Sequence, residues 1–208
     1  MNTFYRFCKG IVYPLAKLIY PFRIITGNTI PKTGRYIICS NHISMLDPVF
    51  LGCSQKRQLH FIAKAELFKN RLFAKIIRKL GAFPVHRGAG DNTAMDNALS
   101  VLKEGHVLGI FPEGTRSKDG NLLRPKPGII MFAYQGNAPI LPVAIVAKKG
   151  QVKPFHRTLI NCGEPIQPEE LGITSGSGME MRNASRLVMS RIAALREEVL
   201  DGHFNKKP

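Results

Sequence analysis

Tyr36-Ile37-Ile38-Cys39-Ser40-Asn41-His42-Ile43-Ser44-Met45-Leu46-Asp47-Pro48 is the stretch on which the reading of this chain turns. It begins with an apolar run of the kind a buried strand carries. Asp47-Pro48 then reads as a helix start, with aspartate as N-cap and proline at the first helical position. Strand, turn, helix is the repeating unit of an α/β sheet, and open α/β sheets bind ligands where their strands end. His42 lies five residues before Asp47. On one continuous helix, residues at that spacing point about 140° apart. The two meet only if a turn lies between them, and Ser44 suits one. Joined, they make a general base and a carboxylate to steer it, the equipment for activating a hydroxyl.

The same alternation continues on both sides of this stretch. Strand candidates are residues 36–40, 59–63, 82–86, 106–111, 140–147 and 158–162. Helix candidates are 47–53, 70–80, 93–103, 128–135 and 180–200. The pattern predicts an α/β fold: a single domain with a mostly parallel or mixed sheet flanked by helices. The length of 208 residues suits one such domain. Thr26-Gly27-Asn28 and Pro31-Lys32-Thr33-Gly34 are turn signals. They divide a segment at 1–25 from a body at 26–208.

That first segment has its own periodicity. Phe4, Phe7, Cys8, Ile11, Val12, Leu15, Leu18, Ile19 and Phe22 recur in steps of three and four. At helical spacing they fall within an arc of about 140°. Arg6, Lys9 and Lys17 lie on the opposite face, and Tyr5, Tyr13 and Tyr20 add rings of the type found at membrane interfaces. This is the pattern of a helix lying in a membrane surface among anionic headgroups. It is equally the pattern of an amphipathic helix packed on the body. Pro14 predicts helix, kink, helix rather than one straight rod.

Composition narrows the class. Thirty Lys and Arg stand against 14 Asp and Glu, a formal charge of +16, which favours anionic partners. Hydrophobic residues make up 44% of the chain, enough for a core and too many for a disordered segment. The cysteines Cys8, Cys39, Cys53 and Cys162 form no C-x-x-C pair, so no metal site or redox motif is expected, and a reduced, cytosol-facing setting is. No apolar run approaches the roughly 20 residues of a membrane span.

The H-x4-D spacing occurs again at His86 and Asp91, within a glycine-rich stretch read as a loop. A second constellation, Phe111-Pro112-Glu113-Gly114-Thr115-Arg116-Ser117, also follows an apolar run and so also sits at a strand exit. Gly114 lets backbone approach a ligand closely, the Thr115 hydroxyl can donate to an oxyanion, and Arg116 offers a planar fork matched to phosphate. Glu113 is suited to holding Arg116 or to accepting from a substrate hydroxyl.

N-H-x-S-x-x-D followed by F-P-E-G-T-R-S resembles the glycerolipid acyltransferase family, above all the 1-acylglycerol-3-phosphate (lysophosphatidate) acyltransferases. Gly81-Ala82-Phe83-Pro84-Val85-His86-Arg87, Lys126-Pro127-Gly128 and Ile140-Leu141-Pro142-Val143 resemble further blocks of that family in the same order. One departure is His86, where the family often carries an acidic residue. The resemblance implies transfer of a fatty acyl group from acyl-CoA or acyl-ACP, as co-substrate, to the sn-2 hydroxyl of 1-acylglycerol 3-phosphate, giving phosphatidate. His42 would be the base and Asp47 its orienting carboxylate, with no cofactor and no metal. Ser44 would be structural. Glu113, Gly114, Thr115, Arg116 and Arg87 would bind the phosphorylated acceptor, and Lys64 would donate to the thioester oxygen. The expected partners are a membrane lipid acceptor with a phosphate headgroup, the thioester carrier and an anionic membrane surface. The expected place is the cytoplasmic face of a membrane, peripheral or monotopic. Glycerol 3-phosphate or another lysolipid is the alternative acceptor. A basic nucleic-acid-binding or lipid-binding protein without catalysis is the alternative of another class. Scattered cations and no recognised nucleic-acid motif speak against nucleic acid.

Overall fold

The computed structural model describes residues 1–26, 30–85 and 92–205. The strands are β1 (Phe22–Ile24), β2 (Tyr36–Ser40), β3 (Leu59–Lys64), β4 (Ala82–Val85), β5 (Val107–Ile110), β6 (Ile140–Ala147) and β7 (Thr158–Cys162). They form one sheet in the order β1-β7-β6-β2-β5-β3-β4. The five strands from β6 to β4 run parallel, β7 is antiparallel to β6, and β1 is parallel to β7. The helices are α1 (Thr3–Ile19), α2 (Asp47–Ser54), α3 (Arg71–Lys79), α4 (Asn92–Lys103), α5 (Ile130–Gly136) and α6 (Gly178–Val199). The expected α/β class and mixed sheet are what the chain adopts. Strand β1 was not foreseen. Its three residues are too few to carry a period, and pairing with β7 makes it a strand.

Both faces of the sheet are buried, so its central strands are apolar throughout rather than alternating. Ile37, Cys39, Leu108 and Ile110 face α4, α5 and α6, which bring Ala98, Leu102, Ala133 and Val188. Ile38, Val107, Val143 and Ile145 face the other way, against Phe50 and Leu51 of α2. Adjacent strands β2 and β5 therefore send their outgoing chains to opposite faces: β2 continues into α2, β5 towards α5. A crevice opens at their C-terminal ends, the position where α/β sheets bind ligands.

Asn41 holds that crevice in register. One residue past β2, its side chain takes the place of a backbone pair. Nδ2 donates to the Ile145 carbonyl at 2.9 Å, and Oδ1 accepts from the Ile145 N–H at 2.8 Å. The β2–β6 ladder thus extends one step, while the Asn41 backbone is free to turn towards the site.

The N-terminal helix reverses one expectation. Its packed face is the tyrosine face. Tyr5 is buried with its hydroxyl beside Gly52, Tyr13 meets Phe22 edge-on at 5.6 Å, and Lys9 Nζ donates to the Gln55 carbonyl. Burial lowers the Lys9 pKa. The apolar stripe faces out instead, with Phe7 66% and Leu18 70% exposed and Ile11, Val12, Leu15 and Ile19 also exposed. The tyrosines and Lys9 are therefore contacts to the body, not interface residues. Helix α1 runs through Pro14 as one element, so the proline does not split it. Gly10 and Pro14 are both exposed, so the carbonyl that loses its donor is not buried. Among the described residues no helix is long and apolar enough to cross a membrane.

Replacing Asn41 with Ala strands the Ile145 N–H and carbonyl in the core. The expected loss is about 2 kcal/mol or more of unfolding free energy. Urea unfolding checks it: the midpoint falls while the slope stays.

Candidate active site

The site begins with one carboxylate oxygen. Asp47 Oδ2 accepts from His42 Nδ1 at 2.7 Å, from the Ile43 N–H at 2.7 Å and from the Ser44 N–H at 2.8 Å. Asp47 is wholly buried, and the His42 side chain is 18% exposed. Because Asp47 points back at the residues before it, it does not cap α2, contrary to expectation. It is the first helical residue, and Leu46 stands at the N-cap without a side-chain bond. The helix's own N–H groups are passed over in favour of the preceding turn. Ser44 supports that turn through Oγ, which accepts from the Leu46 N–H at 3.1 Å. Its expected structural place is the one observed.

A carboxylate only accepts, so the imidazole proton sits on Nδ1 and the Nε2 lone pair is left free. No described residue hydrogen-bonds Nε2. A neutral histidine in this tautomer, held at one nitrogen and open at the other, can take a proton from a hydroxyl.

The second constellation closes on the first. The His42 N–H donates to Glu113 Oε1 at 3.2 Å, and the Ser117 N–H donates to the His42 carbonyl at 2.8 Å. Strand β5 lies directly beside β2, with Cys39 opposite Ile110, so residues distant in the chain meet at adjoining strand ends. Glu113 is therefore paired with the His42 backbone and not with Arg116. It is buried, and that burial pushes its carboxyl up to about 7. The N–H groups of His42 and Leu123 pull the other way, and the charge of Asp47 adds to the rise.

Gly114 adopts φ +65°, a left-handed turn that glycine tolerates. A Cβ there would strike the Lys126 side chain at 2.8 Å, so that ammonium arm lies across the turn. Thr115 and Arg116 are exposed beside it. Lys64 ends β3 on the same sheet edge, exposed. Arg87 and the second H-x4-D copy, His86 and Asp91, lie outside the described residues.

Several contributors were missed. Phe111 stacks on the His42 ring with centroids 4.1 Å apart, and Phe61 stacks on Phe111 at 6.0 Å. Phe61 lies over Gly109, where a Cβ would come within 2.2 Å of its ring. A glycine inside an apolar strand signals such a close approach, and Gly109 was the available clue. Lys126 belongs to the Lys126-Pro127-Gly128 block, whose spacing gives no sign that its side chain reaches the turn at Gly114.

The chain matches known proteins along its length. The model of a family described as Acyltransferase covers residues 22–146. Over 171 residues the chain is 30% identical to the 1-acyl-sn-glycerol-3-phosphate acyltransferase of Bacillus subtilis, spanning 78% of this chain and 82% of that one. It is 30% identical to the protein of that name from Streptococcus pneumoniae, spanning 100% of this chain and 78% of that one. The fold is similar to the crystal structure of the 1-acyl-sn-glycerophosphate (LPA) acyltransferase PlsC from Thermotoga maritima. The TM-score is 0.75 at 27% identity, covering 97% of this chain and 83% of that one.

Glu113 carries a signature in stability. Its folded pKa lies above its unfolded one, so the folded chain holds a proton that the unfolded chain releases. That stability is fully present below the unfolded value and is lost as pH rises through about 7. Glu113→Gln keeps the acceptor for the His42 N–H and removes the titration. Between about pH 5 and about pH 8, the wild-type melting temperature is expected to fall relative to that of Glu113→Gln. Thermal unfolding across that range checks it, and parallel curves would remove Glu113 from the account.

Proposed function

The chain belongs to the acyltransferase family, and on that premise we propose that it transfers a fatty acyl group from a thioester of coenzyme A or acyl carrier protein to the free sn-2 hydroxyl of 1-acylglycerol 3-phosphate, yielding phosphatidate. The observation that carries this reading is the His42 imidazole, fixed at Nδ1 by buried Asp47 and free at Nε2. His42 Nε2 takes the hydroxyl proton as the acceptor oxygen attacks the thioester carbonyl carbon. Asp47 stabilises the imidazolium that forms. The tetrahedral intermediate collapses with loss of the thiolate, which recovers that proton from His42. The incoming alcohol is itself the nucleophile, so the protein forms no covalent intermediate.

Arg116 and Lys126 flank the turn at Gly114 and Thr115, and these four form the cradle for the acceptor phosphate. Arg87 belongs to the same phosphate site in this proposal. Lys64 serves as donor to the thioester oxygen. Glu113 acts on His42 by holding its backbone N–H. The outward apolar stripe of α1 seats the protein on an anionic membrane surface, where a lipid acceptor resides. Attachment is peripheral or monotopic, from the cytoplasmic side on which the soluble thioester carriers are found.

Two substitutions test the chemistry. His42→Ala is expected to lower transfer at least about 100-fold while the circular dichroism spectrum stays native. Ordinary turnover would sink the assignment. Arg116→Ala is expected to raise the acceptor KM about tenfold, a loss near 1.4 kcal/mol, with much less effect on kcat and on the donor KM. An unchanged acceptor KM would move the phosphate elsewhere.

A further inference from the structure

Helix α1 is not alone in exposing apolar side chains. In α3, Leu72 is 72% exposed and Phe73 46%, with Ile76 and, just upstream, Leu67 also exposed. Helical phase sorts the α3 residues into three stripes. Ala74 and Ile77, buried and half-buried, face the body. Leu72, Phe73 and Ile76 fall within an arc of about 100° pointing away from it. Arg71, Lys75, Arg78 and Lys79 fill another arc of about 100° beside that one, all exposed. None of these four cations has an ion-pair partner among the described residues. Arg78 and Lys79 lie over the Phe68 and Phe4 rings; single exposed apolar residues need no explanation, but a group of them bordered by cations with no acidic partner does.

Helix α3 is also joined to α1. The Asn2 side chain, which caps α1, donates to the Lys79 carbonyl at 3.0 Å, and Lys79 Nζ lies 5.2 Å over the Phe4 ring. The crossovers β2–α2–β3 and β3–α3–β4 step the same way along the sheet. Their shared right-handedness puts α3 on the face that already carries α2 and α1.

We propose that α3, with the preceding turn at Leu67, is a second membrane-docking element, its apolar stripe entering an anionic lipid surface and its cations meeting the headgroups. The proposal rests on the reading of α1 as a membrane-surface helix. It adds four exposed cations to Arg6 and Lys17 of α1, whose third cation, Lys9, is turned into the body. Two joined elements fix the tilt of the sheet on the bilayer, where one helix would let the domain swivel. The turn between β3 and α3 starts from the same sheet edge as His42, so α3 anchors the site edge on the β3 side. The partner is a lipid surface rather than a second copy of the chain, because the cationic stripes of two copies would face each other.

The chain contains no tryptophan, so one introduced ring reports on one place. Phe73→Trp reads α3 and Leu15→Trp reads α1, each with vesicles of phosphatidylcholine and phosphatidylglycerol containing brominated lipid. Both emissions are expected to shift to the blue and to be quenched. Quenching of the α1 reporter alone overturns the proposal and leaves the reading of α1 standing. Quenching of the α3 reporter alone supports α3 docking and overturns that reading. Quenching of neither overturns both. An α3 reporter already blue-shifted without vesicles, and not quenched with them, assigns the patch to self-association and also overturns the proposal. The variant Leu72→Ser, Phe73→Ser, Ile76→Ser is expected to lower vesicle binding about tenfold or more, with activity on detergent-dispersed acceptor retained. Unchanged vesicle binding would overturn the proposal.

Discussion

A single buried oxygen, Asp47 Oδ2, organises this active site. A carboxylate oxygen taken wholly out of water calls for donors, and Oδ2 collects three: one imidazole nitrogen and two successive backbone N–H groups. Satisfying that charge fixes three things together. The chain must turn between His42 and Asp47, the imidazole must present Nδ1 inwards, and the remaining nitrogen must face the crevice. The orientation of His42 is thus a consequence of how a buried anion is solvated by its own chain.

The rest of the site tightens the same histidine from other directions. Its backbone is held at both ends of one residue, by Glu113 at the N–H and by Ser117 at the carbonyl. Its ring is held by Phe111, which rests on Phe61, which in turn occupies the space that Gly109 leaves empty. The turn at 113–117 and His42 are therefore one mechanical unit. Strands β2 and β5 make it so by lying side by side with their following helices on opposite faces. Asn41 extends the β6 side of that arrangement by a single side-chain pair.

The molecular surface fits the chemistry of a lipid acceptor. Helix α1 packs through tyrosines and a half-buried lysine and leaves its most apolar residues outside, the reverse of a helix that serves only the core. A basic chain with an outward apolar stripe is suited to a surface that is anionic at its headgroups and apolar beneath them.

Much of this was legible in the sequence. A long apolar run such as Ile140–Ala147 announces a strand, because burial on both faces favours apolar residues throughout. The order of motifs points to the acyltransferase family, and that resemblance is what singles out His42 and Asp47 over the second copy of the spacing at His86 and Asp91. Other features depend on neighbours that no local pattern encodes. Strand β1 exists because β7 is beside it. Asp47 looks like a cap in one dimension and becomes the histidine's partner because the turn before it supplies better-placed donors. The periodicity of α1 determines that the helix has two faces. Which face turns inwards is decided by the body it meets, where Gly52 makes room for the Tyr5 hydroxyl and the Gln55 carbonyl receives Lys9. Sequence determined most of the elements and the candidate groups, because periodicity and residue chemistry are local. Tertiary structure decided pairing, facing and tautomer, because each is a contest among contacts that come together only once the sheet has formed.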